Sequence, residues 1–217
     1  MNPRFKINIL SRRPEVWTKQ IKAYTKSSNW ESKGDLTGNI HKVSKDAKDV
    51  IPGSHIVIIC SPAHTKLQIL SEIAEYLDEG CLVGSIFGQG AFDWYAQHVI
   101  GGPEGIMKRK LTLFSLQYVP FICKVVNYGT DVNIIGPKKH LYLSSFPLDR
   151  VHYACNALSH CYFIPTIPIP GFLNMTLCPS NQIIHPGRVY GFFKDWDGQS
   201  TFEASKMPKL YEDLDDA

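Results

Sequence analysis

The chain has 217 residues and a mass of 24.5 kDa, with 44% hydrophobic, 12% aromatic and 20% charged residues. That composition supports a buried core and excludes wholesale disorder. A net charge of +3 with scattered charges argues against a nucleic-acid partner. No apolar run approaches the ~18 residues that span a bilayer, and no signal peptide precedes residue 20, so no membrane association is expected.

Residues 5–10 alternate and predict a strand. Behind Pro14, the residues Val16, Trp17, Gln20, Ile21 and Tyr24 recur at spacings of three and four, which predicts a helix with proline in its first turn. Residues 26–40 are polar and glycine-containing, hence loop, and 43–50 predict a short helix before the Pro52-Gly53 turn. Residues 55–60 form a continuous β-branched run bounded by a turn, the pattern of a strand buried in a parallel sheet. Ser61 is the expected N-cap and Pro62 the first-turn residue of the next helix, whose apolar face carries Leu67, Leu70, Ile73, Ala74 and Leu77.

A further buried strand over 81–87 leads through Gly88-Gln89-Gly90 into a helix over 92–99, followed by a strand over 111–116. This βαβ succession predicts a right-handed, doubly wound and mostly parallel sheet. Residues 124–129 and 131–136 read as a hairpin, 141–143 as a strand and 149–160 as a helix. Three prolines between Ile164 and Gly171 predict an extended connector and the domain boundary, with helical content resuming over 172–177 and 181–193. The six cysteines include no CxxC pair and are expected to be reduced, mostly buried thiols of a cytoplasmic protein. The sequon at Asn174 would matter only in a secreted chain.

Three predicted strands end in polar or glycine-rich turns, at Ser11-Arg12-Arg13, Ser61-Pro62 and Gly88-Gln89-Gly90. In an open α/β sheet, ligands bind beyond the carboxyl ends of the strands, so these turns would line one crevice. Arg12 and Arg13 follow a strand where a dinucleotide fold meets the adenosine ribose, and arginine there can hold a 2′-phosphate. Solvated basic residues at a strand end are the plain alternative. No GxGxxG occurs, although that turn supplies the pyrophosphate site of such folds. His185, directly before Pro186-Gly187, stands where a helix kinks or breaks, which can turn its ring toward a cleft. Histidine suits general acid/base work near neutral pH, and a structural histidine is the alternative. The remaining histidines lack metal-ligand spacing, and no metal site is expected.

Ser61-Pro62-Ala63-His64, Gly88-Gln89-Gly90-Ala91-Phe92-Asp93, the segment from Leu116 through Pro120 to Lys124, Asn181 to Gly187 and Tyr190 to Gly198 occur in that order. Together they resemble the opine dehydrogenase family, of the octopine and nopaline type. The resemblance implies an N-terminal dinucleotide domain, a C-terminal helical domain and an active site between them. It also implies reduction by NAD(P)H of the imine formed between an α-keto acid, such as pyruvate, and an amino acid. His185 matches the family's catalytic histidine. Gln89 and Cys123 match residues lining its substrate cleft, core packing being the alternative for Cys123. The predicted cofactor contacts, to NAD or NADP, are Arg12, Arg13, Ser61 and Pro62.

The family's first strand, its glycine-rich loop and most of its helical domain have no counterpart in these 217 residues. The expected architecture is therefore a Rossmann-like sheet without its first strand over residues 1–165, then a connector and the start of an all-helical domain over 166–217. The chain is expected to be a truncated, middle portion of such an enzyme. The competing readings are a related hydroxy-acid dehydrogenase and an inactive remnant that binds a nucleotide or a protein.

Overall fold

The computed structural model describes residues 5–25, 35–178, 180–193 and 196–199. It divides into two compact units, Met1–Leu177 and Cys178–Ala217.

The first unit contains β1 (Asn8–Leu10), β2 (Gln20–Tyr24), β3 (Leu36–Asn39), β4 (Lys42–Ser44), α1 (Ala47–Val50), β5 (Ile56–Ile59), α2 (Lys66–Ile73), β6 (Leu82–Ser85), α3 (Phe92–Ile100) and α4 (Gly102–Lys108). It continues through β7 (Thr112–Leu116), β8 (Phe121–Asn127), β9 (Asp131–Pro137), β10 (Leu141–Phe146), α5 (Val151–Tyr162), β11 (Thr166–Pro168) and α6 (Phe172–Thr176). The second unit carries α7 (Ser180–Phe193).

The central sheet has the order β11-β10-β7-β6-β5. Strands β5, β6 and β7 run parallel, β10 is antiparallel to β7, and β11 is parallel to β10. All of β6 and β7 is buried, which their continuous apolar runs require of strands covered on both faces. On one face Leu70, Ile73, Phe92, Ala96 and Ile106 from the helices close over Val83 and Leu113. On the other, Val151, Ala154 and Leu158 of α5 cover Leu82, Phe114 and Leu116. Each fully buried Val, Leu, Ile or Phe side chain among these contributes roughly 1.5–3 kcal/mol relative to exposure. This is the Rossmann-like, mostly parallel α/β arrangement the sequence predicted.

A parallel pair, β1 with β4, stands beside this sheet without sharing a ladder with β5. Leu10 packs against the cluster that holds Val57 and Ile59. Of the segment predicted as a short helix over 43–50, the first part is thus strand β4, and helix begins only at Ala47.

The helix expected behind Pro14 does not form. A single 3-10 turn over Pro14–Val16 gives way to β2, which pairs antiparallel with β3 and parallel with β9. The apolar spacing satisfied a helical period, but Ile21 and Ala23 also alternate with Gln20 and Lys22. Backbone pairing to residues more than a hundred positions away decides between the two periods. The result is a second sheet, of order β3-β2-β9-β8, containing the expected hairpin of β8 and β9. The connector at Ile164–Gly171 is extended as predicted, yet Thr166–Pro168 joins the central sheet as its edge strand. Edge placement suits its prolines, which cannot donate to a ladder. The prediction of mostly buried cysteines is also corrected: all six are free thiols, but only Cys81 and Cys155 are buried.

Candidate functional site

Three turns mark the carboxyl ends of β1, β5 and β6. After β1, the buried Ser11 gathers its surroundings through one hydroxyl. The Trp17 indole N–H donates to Ser11 Oγ at 3.0 Å and the Arg13 amide at 3.2 Å, while the Ser11 amide donates to the Ser44 carbonyl. The Arg13 guanidinium stacks 4.5 Å above the Tyr128 ring centroid, and Trp17 meets the same ring edge-on at 5.5 Å. Tyr128 comes from the tip of the β8–β9 hairpin, which the Gly129 carbonyl ties to the Thr18 amide. Arg12 is exposed and has no hydrogen-bonding, ionic or ring partner among the described residues. The two arginines predicted to act together are therefore distinguished: one is held by an aromatic ring, the other is free.

At the end of β5, Ser61 does not cap a helix. Pro62 occupies the cap position of a 3-10 turn over Ala63–Thr65 that runs into α2, and the Thr65 hydroxyl and amide both donate to the Pro62 carbonyl. Ser61 Oγ is buried and makes no hydrogen bond among the described residues. A buried hydroxyl without a partner is costly, and a ligand group able to hydrogen-bond would remove that cost. Local desolvation also raises the pKa of the neighbouring Cys60 thiol, although the residue as a whole is exposed.

After β6, Gly90 has φ +81° and Ala91 φ +56°, so the chain enters α3 through two left-handed residues. Gly88 is wedged in the core: a Cβ there would lie 2.4 Å from Met175 Cγ and 2.8 Å from Ser115 Cβ. Gln89 is 4% exposed. Asp93, in the first turn of α3, is held above the usual carboxylate range by burial, which outweighs the opposing bonds from its own and the Trp94 amide.

The turn is bonded to Lys66, which the sequence did not single out. Lys66 is 1% exposed, its Nζ donates to the carbonyls of Phe87 and Gln89, and it lies 5.9 Å from the Phe92 ring centroid. Desolvation lowers its pKa to about 8. No sequence signal marks it, because lysine is normally a solvated residue.

Cys123 lies on β8, at a register shift opposite Ile134, and is exposed, although local desolvation still raises its thiol pKa. His185 is an exposed residue of α7 in the second unit. The helix does not break at Pro186: that residue lies inside α7, where its missing N–H leaves the carbonyl one turn back without its usual donor. Among the described residues no His, Cys, Asp and Glu group could hold a metal ion, and no helix is long and apolar enough to cross a membrane.

Residues of the first unit fit parts of a nicotinamide dinucleotide. They offer a buried hydroxyl at Ser61 and an exposed guanidinium at Arg12, both without a partner among the described residues, and a glycine turn at Gly88–Gly90. The fold defines the class: a Rossmann-like, mostly parallel α/β fold.

Within that class the chain is similar in sequence to opine dehydrogenases. It is 23% identical over 183 residues to the octopine dehydrogenase of Mizuhopecten yessoensis, covering 81% of this chain and 42% of that protein. It is 28% identical over 156 residues to an uncharacterized protein of Sinorhizobium fredii, covering 68% and 39%. A solved octopine dehydrogenase complex with NADH and L-arginine shares the fold, with a TM-score of 0.76 at 18% identity over 98% of this chain and 55% of that one. The chain thus spans about two fifths of the length of these curated relatives. No family model matches it.

Proposed function

We propose that this chain forms part of an opine dehydrogenase-type oxidoreductase. Its first unit, Met1–Leu177, would take NAD(P)H, and the unit from Cys178 would begin the helical substrate domain. The reaction is reductive condensation of an α-keto acid with the amino group of an amino acid. What carries this reading is the combination of sequence likeness to octopine dehydrogenase along 81% of the chain with the three turns at the carboxyl ends of β1, β5 and β6.

When bound, the cofactor supplies the hydride. Arg12 would hold an adenosine 2′-phosphate, and Ser61 and Pro62 would border the dinucleotide from the turn after β5. Gln89 and Cys123 are the residues proposed to border the keto acid and the amine. His185 is the general acid/base. During condensation it donates a proton to the departing carbonyl oxygen, and as a neutral imidazole it accepts one from the amine.

The test is oxidation of NADH or NADPH by the chain with pyruvate, with and without a panel of amino acids. Oxidation that requires both substrates is expected. Oxidation with the keto acid alone would assign a hydroxy-acid dehydrogenase instead. Absence of any nucleotide binding by fluorescence titration would reject the oxidoreductase reading for this chain.

A further inference from the structure

The turns after β5 and β6 are fastened to each other by one buried cation. Lys66 opens α2, at the end of the turn that begins with Ser61, and is 1% exposed. Its ammonium donates to the Phe87 carbonyl and, at 3.4 Å, to the Gln89 carbonyl, so both bonds cross to the turn after β6. The Phe92 ring, whose centroid is 5.9 Å away, supplies a negative π-face on a further side. No carboxylate lies within ion-pair distance of Lys66 among the described residues. A second contact brings the same two turns together independently of Lys66: a Cβ on Gly90 would meet the Ala63 methyl at 3.2 Å.

Burying an ammonium costs several kcal/mol unless strong acceptors surround it. Mid-turn carbonyls suit this, since their partners are not used up by a helix or a ladder. A lysine that served general packing would be replaceable by any apolar side chain of equal volume. This one is aimed at two carbonyls, those of Phe87 and Gln89, which flank Gly88.

We propose that Lys66 is a positioning residue whose ammonium clamps the Phe87–Gly90 turn onto the turn after β5 and thereby sets where Gln89 stands at the carboxyl end of the central sheet. Its consequence for ligand binding rests on the dinucleotide reading given above; the clamp itself does not.

The experiment compares the wild-type chain with Lys66→Met and Lys66→Arg by amide hydrogen exchange, alongside NADH titration followed by fluorescence. Lys66→Met keeps the apolar stem and removes the donors, whereas Lys66→Arg keeps donors at the end of a similar stem. In Lys66→Met the protection of the amides of residues 87–91 is expected to fall about tenfold or more, with core amides of β6 and β7 unchanged. In Lys66→Arg protection is expected to stay within about threefold of wild type, because guanidinium N–H groups can reach carbonyls. NADH affinity should follow the same order. Unchanged protection in Lys66→Met, or equal loss in both variants, overturns the proposal. A Lys66→Met chain that fails to fold, with Lys66→Arg folded, assigns the residue to global stability and overturns the local role. If the wild type binds no NADH, the dinucleotide reading fails while the exchange data still decide the clamp.

Discussion

The guanidinium of Arg13 lies 4.5 Å above the ring of Tyr128, and this contact joins the turn after β1 to the tip of a hairpin 115 residues further along the chain. Two neighbouring arginines are thereby given different work. Stacking occupies the face of Arg13 and orients its fork, whereas Arg12 keeps all its donors for a ligand.

That asymmetry predicts cofactor selectivity. The wild-type chain should bind NADPH more tightly than NADH. Arg12→Asp should weaken NADPH by roughly 10- to 100-fold with little change for NADH, since a charge-assisted bond to phosphate is lost. Arg13→Ala should weaken both dinucleotides to a similar, smaller extent through loosening of Tyr128. Fluorescence titrations of the three proteins check this, and a wild type without preference for NADPH refutes the role of Arg12.

Gly129 is the position where the hairpin tip touches the turn. It has φ +83°, and a Cβ would lie 2.3 Å from the Val16 carbonyl oxygen. Gly129→Ala should destabilise the fold by roughly 1–3 kcal/mol. The expected sign is a lower denaturant midpoint at unchanged slope. It should also lower dinucleotide affinity, because Tyr128 is displaced from Arg13.

The buried Lys66 makes stability depend on pH in a defined direction. Its pKa is lowered from 10.5 to about 8 in the folded chain. Between about pH 8 and 10.5 the unfolded chain therefore holds a proton that the folded chain has released, and this group makes stability rise with pH across that window. Below about pH 8 the burial penalty is present in full. In Lys66→Met this rise should disappear. Denaturation midpoints of the two proteins at pH 7, 8.5 and 10 give the difference, and parallel curves would refute the assignment.

For His185, the expected loss is catalytic. In the coupled assay with keto acid and amino acid, His185→Ala should lower turnover about 100-fold while dinucleotide affinity stays within about twofold. An unchanged rate removes His185 from the mechanism.

Gly88 offers a packing test under the candidate site. Gly88→Ala would drive a methyl into Met175 and Ser115. Overpacking of this kind costs roughly 1–3 kcal/mol. Met175→Ala in the same chain should recover part of that loss, giving a favourable coupling in a double-mutant cycle.

Residues that interact with their near neighbours were legible from the chain itself. The run Ile56–Ile59, the glycine turn before α3 and the order of the opine dehydrogenase-like segments all follow from local pattern, because a buried parallel strand, a left-handed turn and a helix stripe each restrict residue type at short spacing. Residues 16–24 were not legible. Their apolar positions satisfy a helical period and an alternating one, and only pairing with Asp131 and its neighbours selects the strand. The same holds at the site. Ser11, Arg12 and the Gly88–Gly90 turn announce a ligand end of a sheet, but nothing local tells which arginine a tyrosine 115 residues away will hold, that Ser61 will find no partner among the described residues, or that Lys66 will be buried. Local sequence thus determined the class of fold and the turns in which β5 and β6 end. Tertiary structure decided the partners of the polar groups there, since hydrogen bonds and ring contacts between distant segments exist only once the two sheets and their hairpin tip have come together.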